Sequence, residues 1–382
     1  MINIAFTGGG TGGHIYPGLA VAAELKKLFA QEDASHDAGG SSQFRLFWIG
    51  SSAGMDRSLV ETAGIEFYGI PSGKLRRYFS LRTIADFFKV ICGFFAARKI
   101  LKKNKVKLLF SKGGFVSVPP CAAASSLGIP VFTHESDFSP GLATKINSRF
   151  VSGKGRIFTA YEDTALFFPE KVRDRVTAAG NPVRDVFRSA DAGKGRAFLG
   201  IKDNAQLKSR ILLVLGGSQG AKEINDLIRD ALPELTKVYT VVHQTGPNLE
   251  WEIPANERYK PYPYLKEEMP HVMAAAELVM GRSGAGIWEW AVLGKPMLLI
   301  PLRGSGTRGD QIENARFFEK AGAAVILPPS GDLPAAVNDI AHNEEKRNNM
   351  ASFSAKTGNK DSAGIIAKML YESIMNQGGG EK

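Results

Sequence analysis

At 382 residues the chain is long for one hydrophobic core and comfortable for two, and with 44% hydrophobic and 23% charged residues it has an ordinary globular composition. Its 48 Lys and Arg against 38 Asp and Glu give a formal charge of +10, which suits phosphate-bearing partners such as nucleotides, nucleic acid or an anionic membrane face. Only Cys92 and Cys121 occur, which excludes a disulfide scaffold or a cysteine metal site. No apolar run reaches the roughly 18–20 residues of a spanning helix, and no basic leader precedes the first strand, so the expectation is a cytoplasmic protein that is not integral to a membrane.

In chain order, the first half predicts strands at Ile2–Phe6, Phe44–Ile49, Phe67–Ile70, Lys107–Ser111 and Pro130–His134. Helices are predicted between them, at Pro17–Ala30, Asp56–Ala63, Leu81–Lys102 and Val118–Leu127, with Gln31–Gln43 as a solvated loop. Alternation of this kind implies a parallel sheet with right-handed crossovers. Gly180-Asn181-Pro182-Val183-Arg184 then reads as a hinge, followed by a polar stretch to Ser209. The second half predicts strands at Ile211–Leu215, Tyr239–Gln244, Tyr259–Tyr262, Leu278–Gly281, Met297–Ile300 and Ala324–Leu327, a last helix at Ser362–Met375 and a frayed end from Gly378.

Two glycine loops follow first strands half a chain apart, Gly8-Gly9-Gly10-Thr11-Gly12-Gly13-His14 and Gly216-Gly217-Ser218-Gln219-Gly220-Ala221. Each is a phosphate-type turn, because glycines let the backbone approach a ligand and the next helix presents N–H groups and its positive dipole end. Gly8-x-Gly10-x-x-Gly13 matches the dinucleotide fingerprint, yet the second strand ends Trp48-Ile49-Gly50-Ser51-Ser52 without the acidic ribose partner, which disfavours NAD. His14, at the first turn of a helix, suits a neutral general base or a packing role, and position alone leaves both open.

Ser111-Lys112-Gly113-Gly114-Phe115 and His134-Glu135-Ser136-Asp137 follow strands and belong at the carboxyl edge of the sheet, where a carboxylate can orient a hydroxyl, act as a base, or cap the next helix. Arg282-Ser283-Gly284-Ala285-Gly286-Ile287-Trp288-Glu289 opens a helix whose loop could take a phosphate and whose Glu289 could take a ribose diol; an exposed helical glutamate is the plain alternative. Asp310 caps another helix and leaves Gln311 free to bond a sugar or base. Between Lys74 and Lys105, ten Lys and Arg interleave with Leu75, Tyr78, Phe79, Phe87, Phe88, Phe94 and Phe95. Part of this segment's apolar face must cover the sheet, but an amphipathic, aromatic, basic segment fits an anionic membrane surface better than a plain core-and-solvent helix, and better than nucleic acid, for which no recognised module is present. No Asp-x-Asp pair and no metal-ligand spacing occur, so no metal and no cofactor is expected beyond a Mg²⁺ carried by the substrate.

Taken together, Gly9-Gly10-Thr11-Gly12-Gly13-His14 with Pro17-Gly18, Lys112-Gly113-Gly114-Phe115-Val116-Ser117, His134-Glu135, Gly180–Arg184, Gly216–Ala221, His243-Gln244-x-Gly246 and Gln311-x-x-Asn314-Ala315 resemble the MurG family of glycosyltransferases, from about residue 4 to the last helix. The resemblance implies an α/β GT-B fold of two Rossmann-like doubly wound domains with a cleft between them. The first, 1–179 plus 361–382, would face acceptor and membrane, and the second, 180–360, would bind UDP-GlcNAc. It implies inverting, metal-free transfer of GlcNAc from UDP-GlcNAc to the 4-hydroxyl of the muramyl sugar of lipid I, giving lipid II for peptidoglycan at the cytoplasmic membrane face. It also implies donor contacts from Thr11, Gly12 and Gly13, from Arg184 and Ser218 near the diphosphate, from Leu265 near uracil, from Ala285, Gly286, Ile287, Trp288 and Glu289 around phosphate and ribose, and from Gln311 on the sugar. Two departures stand out: Asp137 replaces the family's usual Asn and so brings a possible charge to the sugar, and the loop before Glu289 is one residue short without its usual Thr or Ser.

His14 is then the first choice of base, Glu135 the second and Asp137 the third. The rivals are a glycolipid glycosyltransferase of the same fold, a UDP-GlcNAc 2-epimerase, and a non-catalytic nucleotide-binding membrane adaptor.

Overall fold

The computed structural model describes the chain except residues 36–43, 54–55, 74–80, 202–208, 218, 253–255, 305–306 and 379–382. Of the expected frayed end, Gly378 belongs to the last helix and the remainder lies outside the described residues, as do residues 74–80 of the basic stretch. The chain divides into two units, Met1–Arg184 with Asp361–Lys382, and Asp185–Lys360.

The first unit is a seven-stranded parallel sheet. In chain order it comprises β1 (Ile2–Thr7), α1 (Tyr16–Ser35), β2 (Phe44–Ser51), α2 (Asp56–Thr62), β3 (Glu66–Ile70), α3 (Leu81–Lys103) and β4 (Val106–Ser111). It continues with α4 (Val118–Ser126), β5 (Val131–Glu135), α5 (Leu142–Asn147), β6 (Ile157–Thr159), α6 (Glu170–Arg173) and β7 (Val176–Ala178). The strand order β3-β2-β1-β4-β5-β6-β7 reverses direction of growth between β1 and β4, where Thr7 pairs with Ser111. Loops leaving those two strands must diverge to opposite faces, and the space they leave is where doubly wound sheets bind ligands.

The strands read as near-continuous apolar runs because helices cover both faces. Alternation along β1 sends Ile4 and Phe6 into a core with Trp48, Phe110, Phe132 and Phe158, and Ala5 into one with Phe47, Ile49 and Leu109. The C-terminal helix Ser362–Gly378 packs Ile366, Leu370 and Ile374 into the first of these cores, with Tyr371 edge-on to Phe29 at 5.1 Å. Those residues are what return the chain end to the first unit.

The second unit opens with α7 (Asp185–Arg188) and α8 (Ala192–Phe198), then β8 (Ile211–Leu215), α9 (Lys222–Val238), β9 (Thr240–Gln244), β10 (Tyr259–Tyr262) and α10 (Met269–Ala275). It continues with β11 (Leu278–Gly281), α11 (Ile287–Val292), β12 (Met297–Leu299), α12 (Asp310–Lys320), β13 (Ala324–Ile326), α13 (Leu333–His342) and α14 (Glu344–Gly358). Its six parallel strands run β10-β9-β8-β11-β12-β13, so the order reverses between β8 and β11. Ile224, Ile228, Leu232 and Leu235 of α9 recur at helical spacing and are buried against Leu212, Val214 and Val241 of the sheet.

Three features depart from the sequence reading. Helix α1 continues through Ser35, so Gln31–Ser35 of the expected loop is helical, and the rest of that loop lies outside the described residues. Strands β6 and β7 were not anticipated, since three residues each are too few to show a period. Gly180–Arg184, expected to open the second domain, belongs to the first unit: Gly180 N donates to Thr159 O at 3.1 Å, and Gly180 O meets His134 Nε2 at 2.9 Å.

Candidate functional site

In the first unit the loop after β1 turns through Gly8–Thr11 into a short 3-10 turn, Gly12–His14, closed by His14 N donating to Thr11 O at 3.0 Å. The His14 ring lies over the turn that follows β4. A Cβ on Gly114 would sit 3.2 Å from His14 Cδ2 and 2.4 Å from Gly9 O, and Gly114 has φ +79, so glycine is required there. His14, Thr11, Gly12 and Gly13 thus lie in the loop at the β1–β4 reversal.

A residue the sequence reading passed over holds this loop. Asp56, at the start of α2 and 1% exposed, accepts from Gly10 N at 3.0 Å and 3.3 Å and from Ser51 N at 3.4 Å. Burial raises its pKa above the ordinary aspartate value, against the lowering effect of the two backbone donors. The sequence signal was present but displaced: the acidic residue absent from the end of β2 stands five positions after Ser51, where it caps the glycine loop.

Glu135 ends β5, buried, and each of its carboxylate oxygens is engaged: Oε1 accepts from Ser136 N at 2.9 Å and Asp137 N at 3.0 Å, and Oε2 from Gly141 N at 3.0 Å. That carboxylate shapes the turn. Asp137 is partly exposed at the end of the same turn. His134 is fully buried and its pKa is pushed well below the usual value, by burial first and then by the Lys112 charge, so it is neutral. Arg184 stacks on the Tyr16 ring at 4.3 Å, which sets the linker cation beside the start of α1, and a Cβ on Gly12 would lie 3.1 Å from Tyr16 Cε2.

In the second unit the loops leaving β8 and β11 carry the remaining candidates. Gly220 and Gly246 pack back to back: a Cβ on Gly220 would lie 2.1 Å from Thr245 O, and its φ is +76. Gln244 fastens two segments at once, donating from Nε2 to Gly217 O at 3.2 Å and accepting Leu265 N at 3.0 Å. Leu265 is buried, so its backbone is what that turn presents. Ser218 lies outside the described residues. Next to Gln244, His243 is buried between Tyr259 Oη at 3.0 Å and Asn225 Oδ1 at 3.1 Å, and burial pushes its pKa down to about 4.

After β11, Ser283 Oγ donates to Gln311 O at 2.7 Å, and Asn314 Nδ2 donates to Ser283 O at 2.9 Å. Those two bonds join the loop before α11 to the start of α12. Ala285 and Gly286 are accessible on that loop, and Glu289 is partly exposed in the first turn of α11. Ile287 and Trp288 are buried, the Trp288 ring edge-on to Phe318 at 5.3 Å, so their side chains belong to the core and only their backbone faces the loop. Gln311 spends its Oε1 on Leu302 N at 2.9 Å and keeps its amide nitrogen for other partners. Among the described residues no group of three or more His, Cys, Asp or Glu side chains is placed to hold a metal, and no helix is long and apolar enough to cross a membrane.

Two Rossmann-like units, each with glycine loops at its strand-order reversal, define the GT-B class of glycosyltransferases. The glycosyltransferase family 28 N-terminal domain matches residues 4–154 and the family 28 C-terminal domain residues 211–365; the chain belongs to glycosyltransferase family 28. It is 46% identical over 397 aligned positions, covering 96% of each chain, to the UDP-N-acetylglucosamine–N-acetylmuramyl-(pentapeptide) pyrophosphoryl-undecaprenol N-acetylglucosamine transferase of Treponema denticola. The enzyme of the same name from Staphylococcus carnosus is 43% identical over 86% of this chain and 85% of its own. The crystal structure of Acinetobacter baumannii MurG is similar at a TM-score of 0.70 and 25% identity, covering 97% of this chain and all of that one. A UDP-GlcNAc 2-epimerase from Neisseria meningitidis, at 16% identity and a TM-score of 0.66, shares the fold.

Proposed function

We propose that this chain transfers N-acetylglucosamine from UDP-GlcNAc to the 4-hydroxyl of the muramyl sugar of a pyrophosphoryl-undecaprenol acceptor, the step that completes the lipid-linked peptidoglycan disaccharide. The observation that carries the reading is end-to-end similarity to transferases of that name, spanning both units and all the loops described above. The first unit, Met1–Arg184 with the C-terminal helix, takes the acceptor, and the second takes the donor.

His14 takes the proton from the acceptor hydroxyl as its oxygen attacks the anomeric carbon, and UDP leaves with the bonding electrons on the opposite face, inverting the centre. Its neighbours support this choice: Glu135 is committed to three backbone N–H groups, whereas the His14 ring stands over the Gly113–Gly114 turn. Asp137 orients the sugar. The negative charge on the leaving diphosphate is met by Arg184, by Ser218 and by the N–H groups of the loops around Gly12–Gly13 and Ala285–Gly286 in place of a metal. Leu265 meets uracil through its backbone, Glu289 the ribose hydroxyls, and Gln311 the donor sugar. No cofactor is required.

The acceptor is lipid-borne, and α3 suits its location. Phe87, Phe88, Ile91 and Phe95 stand exposed on one helix that also carries Lys89, Lys99, Lys102 and Lys103, a combination that partitions onto an anionic bilayer. We assign the protein to the cytoplasmic face of the membrane on that basis. Transfer of labelled GlcNAc to a short-prenyl muramyl-pyrophosphoryl acceptor, with EDTA present and a diacylglycerol acceptor alongside, tests the function. Product only with the muramyl lipid sustains the reading; product only with diacylglycerol, or free sugar alone, overturns it. Flotation with phosphatidylglycerol vesicles that is unaffected by Phe87, Phe88 and Phe95→Ser would overturn the membrane assignment.

A further inference from the structure

Lys112 is the one residue of the β4 turn whose side chain carries a charge, and it is 1% exposed. Its backbone N donates to Thr7 O at 2.8 Å, and a Cβ on Gly8 or Gly18 would lie 3.1 Å or 3.6 Å from the Lys112 Cβ, behind the nearer His14 O and Trp48 ring. The loop after β1 and the start of α1 therefore come close to it at glycines, beside the Trp48 ring. An apolar side chain would fill this space at a far smaller desolvation cost, so an ammonium here needs compensation.

The compensation lies on one side. Lys112 Nζ donates to Ser136 Oγ at 2.7 Å, and Ser136 Oγ donates to Asn181 Oδ1 at 2.6 Å. An ammonium has donors only, so it fixes the sense of this chain: the serine hydroxyl accepts from Lys112 and must turn its proton to Asn181. Glu135 and Asp137, flanking Ser136, favour the charged amine against the burial that disfavours it. One buried cation thus touches the turn that bears two of the three candidate catalytic groups and reaches the linker leading to Arg184.

We propose that Lys112 is a positioning residue for the transfer reaction, its ammonium holding the Glu135–Asp137 turn and Asn181 in one fixed arrangement through Ser136. The proposal rests on the glycosyltransferase reading above. Lys112 never touches substrate; it decides where Asp137 stands relative to His14 and supplies the countercharge to the two carboxylates.

Protonation of Lys112 is then required for turnover. Its pKa is lowered to about 8, by burial first, with Glu135 and Asp137 acting the other way. The groups facing it are Glu135, His134 and Asp137 from β5 and its turn, Ser136 and Asn181 as neutral hydrogen-bond partners, and, from the β1 loop, α1 and β2, the uncharged Gly8, Gly18 and Trp48; the His14 ring lies beside Gly113, its Nδ1 3.8 Å from where a Cβ there would stand. Losing the proton gives the amine a lone pair that can accept from Ser136, and the hydrogen-bond chain no longer has a single direction.

The test measures kcat and KM for UDP-GlcNAc from pH 6 to 10 in wild type, Lys112→Arg, Lys112→Met and Ser136→Ala, with the muramyl lipid analogue. Wild type is expected to lose kcat as pH rises through about 8, and Lys112→Arg, whose guanidinium does not titrate there, to lose that decline. Lys112→Met is expected about 10²-fold down in kcat at pH 7 with KM for UDP-GlcNAc nearly unchanged, the loss typical of a misplaced catalytic group. Ser136→Ala, which keeps the ammonium but cuts the chain to Asn181, is expected about 10-fold down with the alkaline decline retained.

Wild-type kcat in Lys112→Met, or an unaltered alkaline decline in Lys112→Arg, overturns the proposal. So does a loss shared equally by kcat and donor binding, which is what simple misfolding gives. Should the Lys112 variants not fold, Ser136→Ala decides alone, and unchanged kcat there overturns the proposal. Absence of transfer by the wild type takes the functional reading down with it, whereas wild-type transfer with indifferent variants removes only the role of Lys112.

Discussion

The two glycine-loop regions share a topology and differ in how they are fastened. In the first unit the loops are held by buried charge: Asp56 under Gly10, Glu135 inside its own turn, Lys112 against Ser136. In the second the fastenings at Gly217, Leu265 and the start of α12 are neutral, Gln244 between Gly217 and Leu265 and Ser283 and Asn314 between the β11 loop and α12, and the charged tie, Arg282 to Glu223 at 2.7 Å, joins the β11 loop to α9 through a half-exposed glutamate. Neutral amides and hydroxyls fix a loop without adding a field of their own, so its N–H groups and the helix dipole act undiluted on a bound anion. Buried charges do the reverse. They make local pKa values and side-chain positions interdependent, which is what proton transfer from an acceptor hydroxyl needs.

The largest expected effect that would break this contrast lies at His14. His14→Ala should lower kcat by roughly 10²–10⁴ while UDP-GlcNAc affinity, measured by calorimetry, stays near wild type. Collapse of donor affinity instead would make His14 a binding residue and erase the division of labour.

Acid stability comes next in size. His243 is buried in the second unit with its pKa pushed to about 4, below its usual 6.5. Between those values the unfolded chain binds a proton that the folded chain refuses, so stability is full above about 6.5 and is lost as pH falls toward 4. The loss amounts to roughly 3 kcal/mol at the bottom of the window. Thermal unfolding of wild type and His243→Gln between pH 7 and 4.5 checks it: the variant should start less stable at pH 7 and show a shallower fall. Equal slopes would mean that His243 takes its proton in the folded state.

Two paired substitutions sharpen the contrast with smaller effects. Asp56→Ala removes the acceptor for Gly10 N and Ser51 N, and should cost roughly 1–3 kcal/mol, seen as lower kcat and lower Tm with donor KM little changed. Gln244→Ala removes two neutral hydrogen bonds from the second unit, and should raise KM for UDP-GlcNAc by about 10-fold with kcat preserved. If Asp56→Ala raised donor KM and Gln244→Ala lowered kcat, the two regions would not differ in function as they do in construction.

Much of this molecule is legible in its sequence. Both glycine loops announce themselves through residue types that do little else well, and the strands before them, Ile2–Thr7 and Ile211–Leu215, are apolar runs with clear ends. Ile287 and Trp288 were less legible: adjacency to a phosphate-type loop suggests ligand contact, but both side chains are buried, Trp288 against Phe318. Asp56 was missed because the ribose-partner expectation looks only at the strand end, whereas the carboxylate reaches back to Gly10 from the next helix, 46 residues along the chain.

The sequence by itself determined the two doubly wound units, the placement of a phosphate-type loop at the head of each, and membership of the family, because strand period, turn chemistry and glycine spacing are local properties. Only the tertiary structure decided that Lys112 is buried against Ser136 and Asn181, that Asp56 caps the first glycine loop, and that Glu135 is committed to its own turn. In a parallel sheet, neighbouring strand ends are separated by whole crossovers. Which side chains meet there is therefore set by strand order and by the close approach of backbones at glycine, and no local pattern encodes it.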